Sequence, residues 1–380
     1  MVSSSGWLSS SAFSTTSSSA IRPWAAENTT PGTPTLRQAE RDARFFNLIT
    51  AWVFQYQRWV PQMRSANPLL KLYAYENDLA VQADEGPGSG LFPLSWYAKN
   101  SSGNYVRIKG NDNWLMEPSN SGWRKHGARV CLSNVSMSHY NGCMLDGAGP
   151  GGLFEADSTP VDPATGKPYT PSTWNGEMLS LIKTVKRGVG SVPLFANGLG
   201  SGQRYIDPSA PTDIYFNVLN TMETEGFVKW PTETTHRSER YWRMDVDMLV
   251  DAGARKKSVI VYTKCTSGTQ VQKDAWHQYS LATFLLGSNG RSWFRFGMSQ
   301  PESDPTSMHP WWRVPIGSPT NAYAKIGGVY QRWFTNGRVL VNPTTGTFTV
   351  QLGRRYRTLD GKTVTSVQLG AWGAAVLTKP

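Results

Sequence analysis

Residues 143–147, Cys-Met-Leu-Asp-Gly, end an apolar run on a carboxylate, and Gly147, Gly149, Gly151 and Gly152 follow at once. Glycine lets a chain turn away sharply, which leaves Asp146 open to a ligand. Hydrolysis of a glycoside needs two carboxyl groups, one as nucleophile or base and one as proton donor. Asp146 suits the first task. For the second the partner is Glu233, three residues beyond the apolar stretch 226–230. Glu223 and Glu225 precede that stretch, which assigns them to the opposite, stabilising end of a strand, and Glu239 reads as a solvated helix residue. Polar or aromatic residues that close other apolar runs complete a substrate-binding set: Trp52, Tyr75, Glu76, Asn197, Trp230, Tyr262, Lys264 and Arg295, with Gln55 and Asp78 as lesser candidates. Sixteen Trp and fifteen Tyr suit stacking on sugar rings.

Other chemistries find no support. The five histidines form no H-x-x-x-H or H-E-x-x-H cluster, so no metal site is expected, and the chemistry calls for no cofactor. No G-x-S-x-G elbow occurs. Residues 197–202 are glycine-rich but lack G-x-G-x-x-G spacing and are not followed by an amphipathic helix, so they border a sugar site better than a dinucleotide. Three cysteines, Cys131, Cys143 and Cys265, cannot all pair and show no C-x-x-C spacing, which argues against a disulfide scaffold. The net charge is +11, with 38 Lys and Arg against 27 Asp and Glu. Its densest clusters, 255–257 and Arg354, Arg355 and Arg357, come with no nucleic-acid module, so an acidic or cell-envelope polysaccharide explains the charge better than nucleic acid. No apolar run is long enough to span a membrane. Residues 1–21 hold no Lys or Arg and no sustained apolar core, against a Sec signal; an extracellular or virion-associated place is compatible with the rest.

The elements that must position these residues are legible as an alternation. Short β-branched and aromatic runs at 45–52, 69–75, 142–146, 192–197, 226–230, 258–263 and 292–296, with a further one near 91–97, read as strands. Helical patterns lie at 55–65, 119–135, 173–187, 211–224, 237–252 and 271–286. Strands alternating with helices predict an α/β fold, a (β/α)₈ TIM barrel over 39–320 with its site at the C-terminal ends of the strands. The Pro- and Gly-rich loop 156–172 then shapes the cleft. Asn336-Gly337, Thr345-Gly346 and Asp360-Gly361 are turn signals for a small antiparallel β-unit over 321–380. Residues 1–38, with ten Ser in the first nineteen, read as an arm that is either flexible or docked on a protein partner.

The stretches 70–75, 114–120 with Trp123, 142–146, 328–334 and 336–343 resemble hypothetical glycosyl hydrolase family 15. The resemblance runs from about residue 45 to the end and implies a barrel glycosidase with an Asp after the fourth strand and an acidic residue after the sixth, as in several retaining α-glycosidase groups. Asp146 takes the first position and Glu233 the second by its place. The chain departs from the family pattern at Glu117, where an Asp is expected, and at Cys143 within the fourth strand. A non-catalytic sugar-binding or virion-type structural protein on the same barrel is the alternative.

Overall fold

The computed structural model describes residues 20–26, 32–297 and 308–380. Most of the Ser-rich arm, and the partner docking ascribed to it, lies outside these residues.

Eight parallel strands follow one another round a single sheet: β1 (Trp24–Ala26), β2 (Leu48–Ala51), β3 (Lys71–Asn77), β4 (Gly142–Asp146), β5 (Leu194–Asn197), β6 (Thr221–Thr224), β7 (Ser258–Lys264) and β8 (Trp293–Gly297). A parallel bridge between Pro23 and Phe294, and a hydrogen bond from Phe294 N–H to the Arg22 carbonyl, join β8 to the segment leading into β1. The architecture is the expected TIM barrel with a separate antiparallel sheet after it. Three strand assignments differ from the pattern. β1 lies inside the segment 1–38 assigned to the arm: its three residues pair with 48–50, and buried Trp24 points into the barrel. The stretch near 91–97 is no barrel strand; it holds a short 3-10 turn, Leu94–Trp96, and Tyr97 bridges Met116.

The sixth strand is likewise displaced. Helix was expected over 211–224 and strand over 226–230. Instead Asp213–Asn217 is a 3-10 turn, and Thr221–Thr224 pairs with β5 and β7. Beyond it Val228 has a φ of 57°, a left-handed conformation that a β-branched residue adopts only when its surroundings force it. The force comes from Asp245, fully buried on the outer helix α5 (Glu239–Ala254). Its carboxylate accepts the N–H groups of Gly202 and Val228 at 2.6 and 3.0 Å and pairs with Arg237 at 3.0 Å. One buried acid thus ties down the loops that follow β5 and β6.

Helix α1 (Leu36–Phe45) was not expected and begins inside the segment assigned to the arm, while α2 (Val60–Ala66), α3 (Ser121–Ser138), α4 (Pro171–Val189) and α6 (Gln270–Gly287) follow the expected order. Thr35, Thr170 and Thr269 start α1, α4 and α6 with capping boxes, and Pro171 occupies the first turn of α4. Contrary to the cysteine reading, Cys131 on α3 and Cys143 on β4 form a disulfide, twelve residues apart in sequence. Helix and strand run back past each other, and only that packing brings the two sulfurs together.

The second sheet contains β9 (Ala324–Ile326), β10 (Val329–Phe334), β11 (Gly337–Val341), β12 (Phe348–Arg357), β13 (Thr363–Leu369) and β14 (Ala374–Thr378), all antiparallel. Val339, Val341 and Val376 pack with the main core. Their neighbours Leu340, Ala375 and Leu377 face the other way, onto Leu352, Tyr356 and Leu369 of the β12–β13 hairpin. The hairpin is therefore the layer farthest from the barrel. Arg332 on β10 anchors the sheet by donating to the carbonyls of Leu285, Leu286 and Ser288 at the end of α6, where the helix leaves its last acceptors unsatisfied. Glu239, read as solvated, accepts from Lys325 and Tyr330 and joins α5 to the same sheet.

Candidate active site at the barrel mouth

Strand side chains alternate, and the inner face of the barrel carries Trp24, Leu48, Tyr73, Tyr75, Met144, Phe195, Ile260, Tyr262 and Trp293. Two residues on from Met144 and from Phe195, Asp146 and Asn197 share that face, as does Glu223, which registers with Ile260. A closed eight-stranded barrel staggers its strands by about one residue each, so alternate strands contribute side chains to one level. Carried round on that basis, the registers put Trp52, Asp146 and Glu225 on one level at the C-terminal mouth. Tyr75, Asn197 and Tyr262 lie on the level below, then Met144, Glu223 and Arg295.

Asp146 is the most tightly held of these groups. Tyr75 Oη donates to its Oδ2 at 2.6 Å; Asn197 Nδ2 and the Gly147 N–H donate to its Oδ1 at 2.9 Å each. Burial, then the charge of Glu225, raise its pKa, while the bonds from Tyr75 and Asn197 and the charge of Lys264 oppose the rise. Glu225 is paired with Lys264 at 2.7 Å. Glu223 is 1% exposed, its Oε2 has no hydrogen-bond partner, and burial followed by the charges of Glu225 and Asp146 pushes its pKa well above the ordinary carboxylate value. Burial works against protonated Lys264, but Glu225, Glu223 and Asp146 together raise its pKa and keep it charged. Asp146, Glu223 and Glu225 line one small cavity with Tyr75, Tyr262 and Trp24.

Above that cavity opens a cleft of about 490 Å³, a size that suits a small ligand. Asp146 and Glu225 form part of its wall, together with Asn77, Glu155, Arg204 and Trp230. The glycine loops after β4 and β5 approach closely: a Cβ on Gly149 would meet the Gly198 carbonyl oxygen at 2.5 Å, and one on Gly198 the Ala148 oxygen at 2.2 Å. Both must be glycine for the floor of the cleft to close. The cleft wall after β4 comes from residues 147–155. Residues 156–172, expected to shape it, pair back on 99–108 and contribute nothing to the lining.

The sequence-derived set divides. Asp146, Tyr75, Asn197, Tyr262, Lys264 and Arg295 converge on the inner face of the mouth; Trp230, 40% exposed, lines the cleft; Trp52 packs edge-on against Tyr75 at 4.6 Å between ring centroids. Glu76 does not belong. It sits on β3 between two inward residues and so points outward, where Asn134 of α3 donates to it beside the Cys131–Cys143 sulfurs. Those sulfurs are bonded to each other and offer no thiolate to a metal. Glu233 does not follow a strand. It folds back on its own loop, accepting the Trp230 N–H at 2.7 Å and facing Arg237 at 3.7 Å, and lines neither cavity nor cleft. Glu117 accepts from Tyr169 at 2.6 Å and fastens a loop. The residues missed are Glu223 and Glu225, because the sixth strand was placed too late. The signal available was Thr-Met-Glu-Thr-Glu-Gly, two acids at strand spacing before a glycine.

A profile of hypothetical glycosyl hydrolase family 15 matches residues 93–338, more than half of the chain. The chain belongs to that family. Membership makes it a glycosidase, in keeping with two carboxylates across an open mouth. No curated protein matches the sequence significantly. Among solved structures, the chain is similar to a noncanonic maltogenic α-amylase from Thermotoga neapolitana, with 11% identity, 95% and 98% of the two chains covered and a TM-score of 0.53. It is also similar to a pullulanase from Anoxybacillus sp. LM18-11 complexed with maltotriose (7% identity, 99% and 72% covered, TM-score 0.54) and to pullulanase type I from Bacillus subtilis complexed with maltose (9%, 99% and 72%, 0.51). At these identities the likeness is one of fold. No described helix is long and apolar enough to cross a membrane.

Proposed function

We propose that this member of the family is a retaining glycoside hydrolase acting on an oligo- or polysaccharide, with Asp146 as nucleophile and Glu225 as acid/base. The observation that carries the reading is the level shared by Asp146 and Glu225 on alternate strands, both opening onto one cleft. Asp146 attacks the anomeric carbon as Glu225 protonates the departing glycosidic oxygen, giving a glycosyl ester on Asp146. Glu225, now ionised, takes a proton from water, which attacks the same carbon and releases Asp146. Tyr75, Asn197 and the Gly147 N–H aim the nucleophile. Burial and the neighbouring charges raise the pKa values of Asp146 and Glu223, which favours a proton within the cluster for the first step. Lys264 pairs with Glu225 when that group is ionised and so favours the second step. The chemistry requires no cofactor. The Cys131–Cys143 disulfide supports a working place outside the reducing cytosol, among cell-envelope polysaccharides for example.

The test is the stereochemistry of the product followed by NMR during hydrolysis, on a substrate found by screening wall and storage polysaccharides. The anomer first released should have the configuration of the substrate. Inversion would overturn the nucleophilic role of Asp146.

A further inference from the structure

The chain's positive charge is far from evenly spread. Residues 321–380 hold eight Lys and Arg against a single acid, Asp360, a net of seven of the chain's eleven positive charges. Two of these cations, Arg332 and Arg338, are buried and hold the sheet together; Lys325 and Lys362 pair with Glu239 and Asp360. Arg354, Arg355 and Arg357 on β12 are different. All three are exposed, and among the described residues none of their guanidinium groups makes a hydrogen bond or ion pair. Tyr356 between them is buried in the core between the hairpin and the inner strands, so Arg355 and Arg357 point the other way, out from the face of the molecule farthest from the barrel.

We propose that the outer face of the β12–β13 hairpin binds an acidic polysaccharide and holds the enzyme on it, separately from the catalytic cleft. Arginine is the side chain suited to the task, since its planar fork matches carboxylate, sulfate and phosphate in two parallel hydrogen bonds. The neighbouring exposed residues, Thr349, Gln351, Thr363 and Thr365, offer further polar contacts and no stacking surface. Single-stranded nucleic acid is disfavoured for want of an exposed aromatic on this face. A membrane is disfavoured because no large hydrophobic side chain is exposed after Ile326. The polymer is not drawn to the cleft by charge, because the cleft wall carries Asp146, Glu155 and Glu225 against Arg204 alone, and Arg204 is already paired with Asp207.

The full chain should be retained at low salt on immobilised polygalacturonate, a carboxylate polymer, or on a phosphomannan, a phosphate polymer, and not on dextran. Which of the two holds it more tightly identifies the anion. Replacing Arg354, Arg355 and Arg357 together by Ser should weaken binding about tenfold or more, with unchanged circular dichroism. Replacing exposed Lys125, Lys183 and Arg187 on α3 and α4 by Ser removes the same charge elsewhere and should change binding less than about threefold. Absence of binding by the full chain, equal loss in the two triple variants, or tighter retention on duplex DNA or anionic vesicles would each overturn the proposal. Hydrolysis of a small soluble glycoside, measured in parallel, reports on the catalytic reading independently.

Discussion

The barrel mouth and the β12–β13 hairpin handle charge in opposite ways. At the mouth, three carboxyls are gathered where burial and mutual repulsion raise the pKa values of Asp146 and Glu223, and Lys264 is held among them. Asp146 and Glu223 feel the charge of Glu225, which opens onto the cleft, and Lys264 among them is held charged. On the hairpin, three arginines stand in solvent with no partner among the described residues. The difference teaches that a net charge of +11 says nothing of the site: the basic character belongs largely to the small sheet, and the chemistry to an acidic cleft. Enclosed charge can do proton transfer and covalent work, whereas exposed charge can attract and hold.

The comparison breaks first at the mouth. Asp146→Asn keeps the shape and can keep its amide oxygen accepting from Asn197 and Gly147, with Tyr75 Oη turning to accept, but removes the nucleophile, and turnover should fall on the order of 10³-fold or more with the fold intact. Near-normal kcat in purified variant would end the assignment. Glu225→Gln should cost about 10²- to 10⁴-fold on natural glycosides and much less on nitrophenyl glycosides, whose leaving group needs little protonation, with azide restoring part of the rate. If Glu233→Gln shows that pattern instead, the acid lies on the loop after all.

Smaller effects concern the walls behind the mouth. Reducing the Cys131–Cys143 bond, or replacing both cysteines by Ser, should lower stability by about 2–4 kcal/mol, read from denaturant midpoints with and without reductant. An unchanged midpoint would mean that the packing of α3 on β4 needs no crosslink. Glu76 offers a pH test. Burial, then the charge of Asp78, raise its pKa from 4.5 to about 9. The folded state therefore keeps its full share of stability from this group below pH 4.5 and loses it progressively as pH rises towards 9. Glu76→Gln cancels that loss, so its Tm should exceed the parent's by a few degrees at pH 8, with a gain that shrinks towards pH 5. The smallest effect is on the other side of the comparison: the Arg354, Arg355 and Arg357 triple variant should hydrolyse a small soluble glycoside within about twofold of the parent rate, because screening leaves the cleft indifferent to distant exposed charge. A larger change would couple the two regions.

Local pattern alone determined much of this protein. Tyr75, Asp146, Asn197, Tyr262, Lys264 and Arg295 were legible because each lies in or closes a run of apolar or β-branched residues, and strand periodicity assigns such a residue to one face whatever surrounds it. The turn dipeptides of the terminal sheet were legible for the same reason, since their backbone preferences are their own. What only tertiary structure decided lies where the local signal is short or double. Trp24–Ala26 is too brief to show a period and becomes a strand through hydrogen bonds to 48–50 and the bridge at Phe294. Thr221–Thr224 continues a helical pattern and is extended because β5 and β7 on either side offer it partners. Residues 226–230 look like a strand but are bent through Val228 by the buried carboxylate of Asp245. Hydrogen bonds between distant segments outweigh weak local preference over three or four residues, and whether Glu225 or Glu233 lines the cleft with Asp146 turned on those few residues.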